Sequence, residues 1–293
     1  MRNNKTMKIT GIQAVSAIYF ALLQSGYDFY GMGRSEEHAS AVKQFISGKD
    51  IPSFFAGVNQ NTCAVYPYWP RAAILETALF YLRPDQRAFL DYHGFQQNIL
   101  ESGNIADHER DQALWTWVQD FPSALSSVLA CDAFERYLAW EQDWLTAQNA
   151  KHMAALQQIT DCLDICVSKY QSPVKDIQIV VNPIKCVYSA DYHLFEQRFV
   201  YCSGAFHAES VIHEFLHHVV HPAMEDIADR ILAVDHIYAE LDPSYYLSGD
   251  DAGKLNAFEE HAVRMLTKDV VAGTYPDDLP YYLQRMAAMD AGV

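Results

Sequence analysis

The chain has 293 residues, half of them hydrophobic, and a formal net charge of −16 at pH 7. This length and composition are enough to bury a core in one large domain or two modest ones. The negative charge argues against binding to nucleic acid or to anionic membrane surfaces, because both would repel the protein. The six cysteines show neither CxxC spacing nor the density of a disulfide scaffold. We therefore expect free thiols, which suit a reducing compartment.

The amino terminus has a basic start followed by a fairly apolar run at residues 9–23. Such a sequence resembles a secretory signal, and the protein would be secreted if the first ~24 residues acted as one. Polar residues interrupt the run, however, and Ile12, Val15, Tyr19 and Leu22 recur at helical spacing. We therefore predict an amphipathic first helix and a cytoplasmic location. No membrane association is predicted, because no segment reaches the ~20 unbroken apolar residues of a membrane span.

Residues 70–170 have a helical pattern rich in alanine, leucine, glutamine and aromatic side chains. The tracts at 130–143 and 149–170 are typical of amphipathic helices. Cys162 and Cys166 lie one helical turn apart in the second tract, where we expect them to pack in the core.

The pattern changes after the serine and proline at 172–173. Residues 176–181 and 197–202 are rich in β-branched and aromatic side chains, and each segment predicts a β-strand. We therefore predict a helical amino-terminal region at residues 1–171 and a region of strands and helices at residues 172–293. Both regions could form one continuous domain around a shared core.

Residues 213–217 read HEFLH, an HExxH motif. Two imidazoles four residues apart on a helix lie one turn from each other, which is close enough to bind one zinc ion. The intervening Glu214 could then act as general base towards a metal-bound water. At 100° per residue, the apolar side chains of residues 206–221 form one arc, and His213 and His217 fall opposite it. This placement disfavours a core histidine pair and leaves a solvated helix face as the alternative to a metal site.

A catalytic zinc ion needs a third protein ligand and one open position. His221 lies on the same side of the helix, but two turns from the first histidine, and we expect Pro222 to end the helix at or near it. Asp226 and Asp229 begin another helical pattern, where we expect them to cap the helix or face solvent. The remaining candidates are the adjacent carboxylates Glu259 and Glu260, in a helix predicted at residues 254–269.

The phase of this helix favours one of the two glutamates. Glu260 shares its polar side with Asn256 and Arg264, and a ligand helix turns its polar side to the cleft. Glu259 projects nearer to the apolar side, but it stays open as the ligand. Arg264 could form an ordinary surface pair with Glu260 or could orient its carboxylate.

The HEFLH segment, the following His221 and Pro222, and the EHAVR segment at 260–264 together resemble the gluzincin group of zinc metallopeptidases. More narrowly, they are similar to an uncharacterised bacterial family with an HEFxH…NP helix and a downstream NEHxVR helix. The resemblance implies zinc ligands at His213, His217 and Glu260, with Glu214 as the general base. Two departures are evident, and each reopens a candidate ligand. His221 stands where that pattern has asparagine before proline, and Glu259 stands where it has asparagine before the ligand glutamate.

The patterns and the resemblance together predict a predominantly helical α+β fold. Its carboxy-terminal half would be zincin-like, with a small sheet next to the HExxH helix. The predicted function is zinc-dependent hydrolysis of an amide bond in a peptide or protein substrate. The alternative is a catalytically silent metal- or peptide-binding protein of zincin fold. Side chains that could stabilise the oxyanion are Tyr245, Tyr246, Tyr275 and His207.

Overall fold

The computed structural model describes residues 6–26, 45, 51–58, 73–80, 116–185, 190–195, 197–234 and 251–289. This part of the chain is predominantly helical with one small mixed sheet, as predicted for the α+β class. The strands are β1 (Ile9–Thr10), β2 (Asp176–Val181), β3 (Asp191–Phe195) and β4 (Arg198–Ser203). The helices are α1 (Gln13–Gln24), α2 (Ala73–Phe80), α3 (Phe121–Leu129), α4 (Asp132–Lys151), α5 (Met153–Lys169), α6 (Ala208–Glu225), α7 (Ala228–Leu232), α8 (Asp251–Val271) and α9 (Leu279–Met289). A short 3-10 helix spans Ser53–Gly57.

The four strands are ordered β1-β2-β4-β3 across the sheet. β1, β2 and β4 run parallel, and β3 runs antiparallel to β4. β2 and β4 confirm the two predicted strands, whereas β1 and β3 were not predicted. Asn149 of α4 lies at the other side of β1, where its amide accepts a hydrogen bond from the Ile9 N–H at 2.9 Å and donates one to the Ile9 carbonyl at 2.8 Å. A side chain therefore takes the place of a further strand at this edge.

The sheet lies between two layers of helices, because alternate side chains of each strand point to opposite faces. On one face Val180, Val200 and Cys202 join the core formed with α1, α3 and α4. On the other face Ile179 and Tyr201 join the core formed with α5, α6 and α8. Both predicted regions contribute to the sheet, since β1 pairs with β2. The predicted boundary between residues 171 and 172 stays a prediction.

Helix α1 differs from the amphipathic helix that we predicted for the amino terminus. Its residues 14–22 are buried on all sides. Apolar residues of α2, α3 and α4 and one face of the sheet enclose it, so it has no solvent-facing side. Gly26, with a φ of 74°, follows the end of the helix. Within the described ranges, no helix combines the length and apolar character needed to cross a membrane.

Helix α6 carries the HExxH motif and continues past the proline that we expected to end it. Pro222 lies inside the helix, which extends to Glu225. Val220 and Met224 are buried before and after the proline, so continuing the helix preserves their packing. Pro222 itself is exposed, and the only backbone hydrogen bond it removes is the one to the carbonyl of His218.

Helix α8 confirms the helix predicted at residues 254–269, and it packs along α6. Phe258, Ala262 and Leu266 of α8 recur at helical spacing and are buried in the same core cluster as the apolar side chains of α6. Asp226 and Asp229, which follow α6, are exposed, as expected.

Candidate metal centre

The packing of α8 against α6 brings together His213, His217 and Glu260. The Nε2 atoms of the two histidines lie 3.2 Å apart. Glu260 faces both rings, with Oε2 at 3.6 Å from His213 Nε2 and Oε1 at 3.4 Å from His217 Nε2. Three potential ligand atoms from two helices therefore surround one small space.

The spacing of these three atoms can be compared with the size of a zinc ion. Zinc–nitrogen and zinc–oxygen bonds of about 2.0–2.1 Å in a tetrahedron place neighbouring ligand atoms about 3.3 Å apart. The 3.2 Å between the two imidazole nitrogens lies close to this spacing. Each nitrogen also lies at a similar distance from one Glu260 oxygen, which is Oε2 for His213 and Oε1 for His217. Two imidazoles and one carboxylate are also ligands that zinc binds at catalytic sites, with a fourth position left open. The residues present thus fit a zinc ion.

Glu259, which the sequence left open as a third zinc ligand, lies outside the group of three potential ligands. Its Oε1 lies 2.9 Å from Nδ1 of His217, on the side of the ring away from Glu260. When Nδ1–H donates to this carboxylate, Nε2 presents its lone pair to the space shared with His213, which is the tautomer that binds a metal. Burial opposes ionisation of Glu259, but its bonds to His217 and His221 lower its pKa to about 2.

His221 lies outside the group of three potential ligands. Its Nδ1 is 2.7 Å from Oε2 of Glu259. Because α6 continues through Pro222, the early break in the helix that would let His221 reach the metal does not occur.

Burial also disfavours the ionised form of Glu260, but contact with His213 and the charges of His217 and Arg264 lower its pKa. Arg264 therefore acts electrostatically on Glu260 while remaining exposed.

Glu214 is the carboxylate that the motif assigns as a base. Burial raises its pKa to about 8, and the nearby charges of Asp191 and Glu260 act in the same direction, while His217 opposes them. A bound cation would lower this value. A carboxyl group that exchanges its proton near neutral pH suits general acid–base chemistry.

Tyr192 of β3 is a residue that sequence reasoning missed. Its ring lies nearly parallel to that of His217, at 13°, with the ring centres 6.3 Å apart. Burial raises its pKa, and the charges of Glu259, Glu214 and Glu260 raise it further, so its hydroxyl stays protonated and can donate a hydrogen bond. The alternation of polar and apolar residues in β3 was the signal that could have predicted this strand, and Tyr192 with it.

The oxyanion candidates from the sequence lie elsewhere or outside the described residues. His207 is exposed and immediately precedes α6. Tyr275 lies beside Cys162 of α5. Tyr245 and Tyr246 belong to the part of the chain that the structure does not describe.

Cys162 and Cys166 are buried free thiols, which confirms their expected role in the core.

A second group of potential ligands, Glu76, His193 and Cys202, lies on the opposite face of the sheet. These residues surround a cation already, because Lys185 Nζ lies 3.0 Å from Glu76 Oε1 and also bonds to Asp191. The ammonium group would repel a metal ion placed beside it. Burial opposes ionisation of Glu76, but Lys185 and His193 lower its pKa to about 2. We interpret this group as a buried ion-pair network.

Comparisons with protein-family models, with curated proteins and with solved structures found no match to this chain.

Proposed function

We propose that the chain is a zinc metallopeptidase of the gluzincin type with a zincin-like catalytic half. His213, His217 and Glu260 would hold the ion, and Glu214 would be the general base. The main support is the convergence of two imidazole nitrogens, 3.2 Å apart, with the Glu260 carboxylate of a second, packed helix. Zinc bound there would polarise a carbonyl group and lower the pKa of water to about 7.

Glu214 would carry the two proton transfers of the reaction. It would take a proton from the attacking water and pass it to the leaving amine. Its burial supports this role, because a desolvated carboxylate holds a proton more strongly than an exposed one. The protonated Tyr192 hydroxyl, on the strand beside His217, could donate a hydrogen bond to the oxygen that gains negative charge.

The arrangement of the sheet supports a peptide as the substrate. β3 is the last strand in the sheet order, and β4 is its only strand neighbour among the described residues. An extended peptide can add to such an edge by backbone hydrogen bonds. Tyr192 points from β3 towards α6, so this edge lies next to the candidate centre.

A closed structural zinc site is less consistent with the fold. Structural sites usually have four cysteine or histidine ligands. Cys202, the cysteine nearest to the motif helix in sequence, faces the opposite layer of the sheet. A structural role would also leave the half-buried Glu214 without a function.

The proposal can be tested by combining metal analysis with a hydrolysis assay. Purified protein should contain about one zinc ion per chain, held at the candidate site of His213, His217 and Glu260. Wild-type protein and Glu214→Gln should then be incubated with a mixed peptide library and the products read by mass spectrometry. We expect Glu214→Gln to keep its zinc and to lose about 10²- to 10⁴-fold in rate.

Each outcome of this test has a clear meaning. Absence of zinc after reconstitution would refute the metal centre. Zinc without cleavage by the wild-type protein would favour the catalytically silent binding protein. Equal cleavage by both proteins would show that Glu214 is not the base.

A further inference from the structure

We infer that His221 is a positioning residue for the metal centre, acting through Glu259 on the ligand His217. The inference rests on the zinc site of the proposed function. It starts from one carboxylate that contacts two imidazoles, with Glu259 Oε1 at 2.9 Å from Nδ1 of His217 and Oε2 at 2.7 Å from Nδ1 of His221. Each carboxylate oxygen of Glu259 therefore contacts a different imidazole ring.

The geometry of the two helices explains how one side chain reaches both rings. His217 and His221 are four residues apart on α6, so they lie on the same face, one turn from each other. Glu259 projects from α8 between them, with 12% of its side chain exposed. A single carboxylate can thus bridge one turn of the neighbouring helix.

The contact with His221 restricts rotation of the Glu259 carboxylate, which the contact with His217 alone leaves free. The terminal torsion of a glutamate is broad, so one hydrogen bond does not fix the plane of the carboxylate. Bonds at both oxygens do fix this plane, and with it the direction in which His217 Nδ1–H must point. The opposite nitrogen, Nε2, is then held 3.4 Å from Oε1 of Glu260. Orientation of a histidine ligand by its other nitrogen is a general way to strengthen metal binding.

The burial of Glu259 gives its contact with His221 a second role. A buried carboxylate is unfavourable unless hydrogen bonds compensate it. The Glu259 side chain is 12% exposed and that of His221 is 54% exposed, so His221 contacts the carboxylate from the solvent side. His221 therefore supplies one of the two hydrogen bonds that compensate the burial of Glu259.

His221 also offers a control contact. Its Nε2 lies 3.4 Å from Oε1 of Glu225 in the next turn of α6. The Glu225 side chain is 67% exposed, and exposed pairs of this kind contribute little. Glu225→Gln therefore removes a charge next to His221 without affecting Glu259.

The test measures zinc affinity of the full chain by competition with a chromophoric chelator. The proteins are wild type, Glu259→Gln, His221→Ala, the double variant and Glu225→Gln. We expect Glu259→Gln to weaken zinc binding about 10- to 100-fold and His221→Ala to weaken it by a smaller factor of about 3 or more. The double variant should bind as weakly as Glu259→Gln alone, because His221 acts through that residue. Glu225→Gln should match wild type.

A spectroscopic measurement separates positioning of the ligand from a general loss of stability. Cobalt-substituted wild type and Glu225→Gln should have the same visible absorption bands, whereas His221→Ala should have shifted bands. Identical zinc affinities for His221→Ala and Glu225→Gln, or additive losses in the double variant, would overturn the inference. A wild-type protein that binds no zinc would instead refute the proposed function, so the two failures are distinguishable.

Discussion

Replacing Glu141 with glutamine tests how burial controls the charge of a carboxyl group beneath the sheet. Glu141 of α4 is fully buried. Its Oε1 accepts hydrogen bonds from Asn182 Nδ2 at 2.7 Å and from the Tyr137 hydroxyl at 3.1 Å. Among the described residues, Oε2 has no hydrogen-bond partner. Burial therefore raises the pKa of Glu141 to about 7, although the hydrogen bonds act in the opposite direction.

The size and sign of the effect follow from this shift. The pKa is 4.5 for an unperturbed glutamate and about 7 in the folded protein, a difference that corresponds to about 3 kcal/mol. Between these values the folded state holds the proton and the unfolded state does not. The stability that Glu141 contributes is therefore complete below about pH 4.5, falls as the pH rises, and is lost above about pH 7.

Glu141→Gln should remove this dependence, because glutamine can accept both hydrogen bonds and cannot ionise. Chemical denaturation of the metal-free proteins at pH 5, 6, 7 and 8 would give the free energy of unfolding at each pH. We expect the variant to match wild type near pH 5 and to be more stable at pH 8 by up to about 3 kcal/mol. Glu135→Gln, at an exposed position of the same helix, is the matched control. A difference between Glu141→Gln and wild type that stays constant across this range would refute the reasoning.

Three further predictions concern other parts of the structure. Lys185→Met leaves two buried carboxylates without their cation, so the free energy of unfolding should fall by about 3–5 kcal/mol, and an unchanged denaturation midpoint would contradict this. Asn149→Ala removes two hydrogen bonds to Ile9, so stability should fall by about 1–3 kcal/mol. Hydrogen exchange at the Ile9 amide should accelerate in the same variant, and unchanged protection would show that the side chain does not hold β1. Glu260→Gln should weaken zinc binding more than Glu259→Gln in a chelator competition, and the reverse order would identify Glu259 as the ligand.

Local patterns predicted the elements that carry the candidate centre. β2 and β4 are short runs of β-branched and aromatic residues, and α6 and α8 have apolar side chains at helical spacing. The side of α8 that holds Glu260 was also predictable, because its polar neighbours recur every four residues. Each of these signals lies within one element and needs no knowledge of the fold.

The remaining features depend on contacts between distant elements. β3 was missed because Asp191 and His193 are polar, and only the buried Lys185 and Glu76 make an inward direction favourable for them. The burial of α1 on all sides requires the sheet and three helices to surround it. The role of Glu259 follows from the way α8 lies on α6, which the helical phase of α8 alone does not define.

The pairing of β1 with β2 affects how the chain folds during its synthesis. Each paired residue of β1 is 170 positions from its partner in β2. At translation rates of about 5–20 residues per second, roughly 10 to 30 seconds separate the synthesis of the two strands. Helices α3 and α4, which pack against α1, begin only at Phe121 and Asp132. During this interval the apolar surface of α1 is exposed on the nascent chain, which makes it a segment that chaperones would need to protect from aggregation.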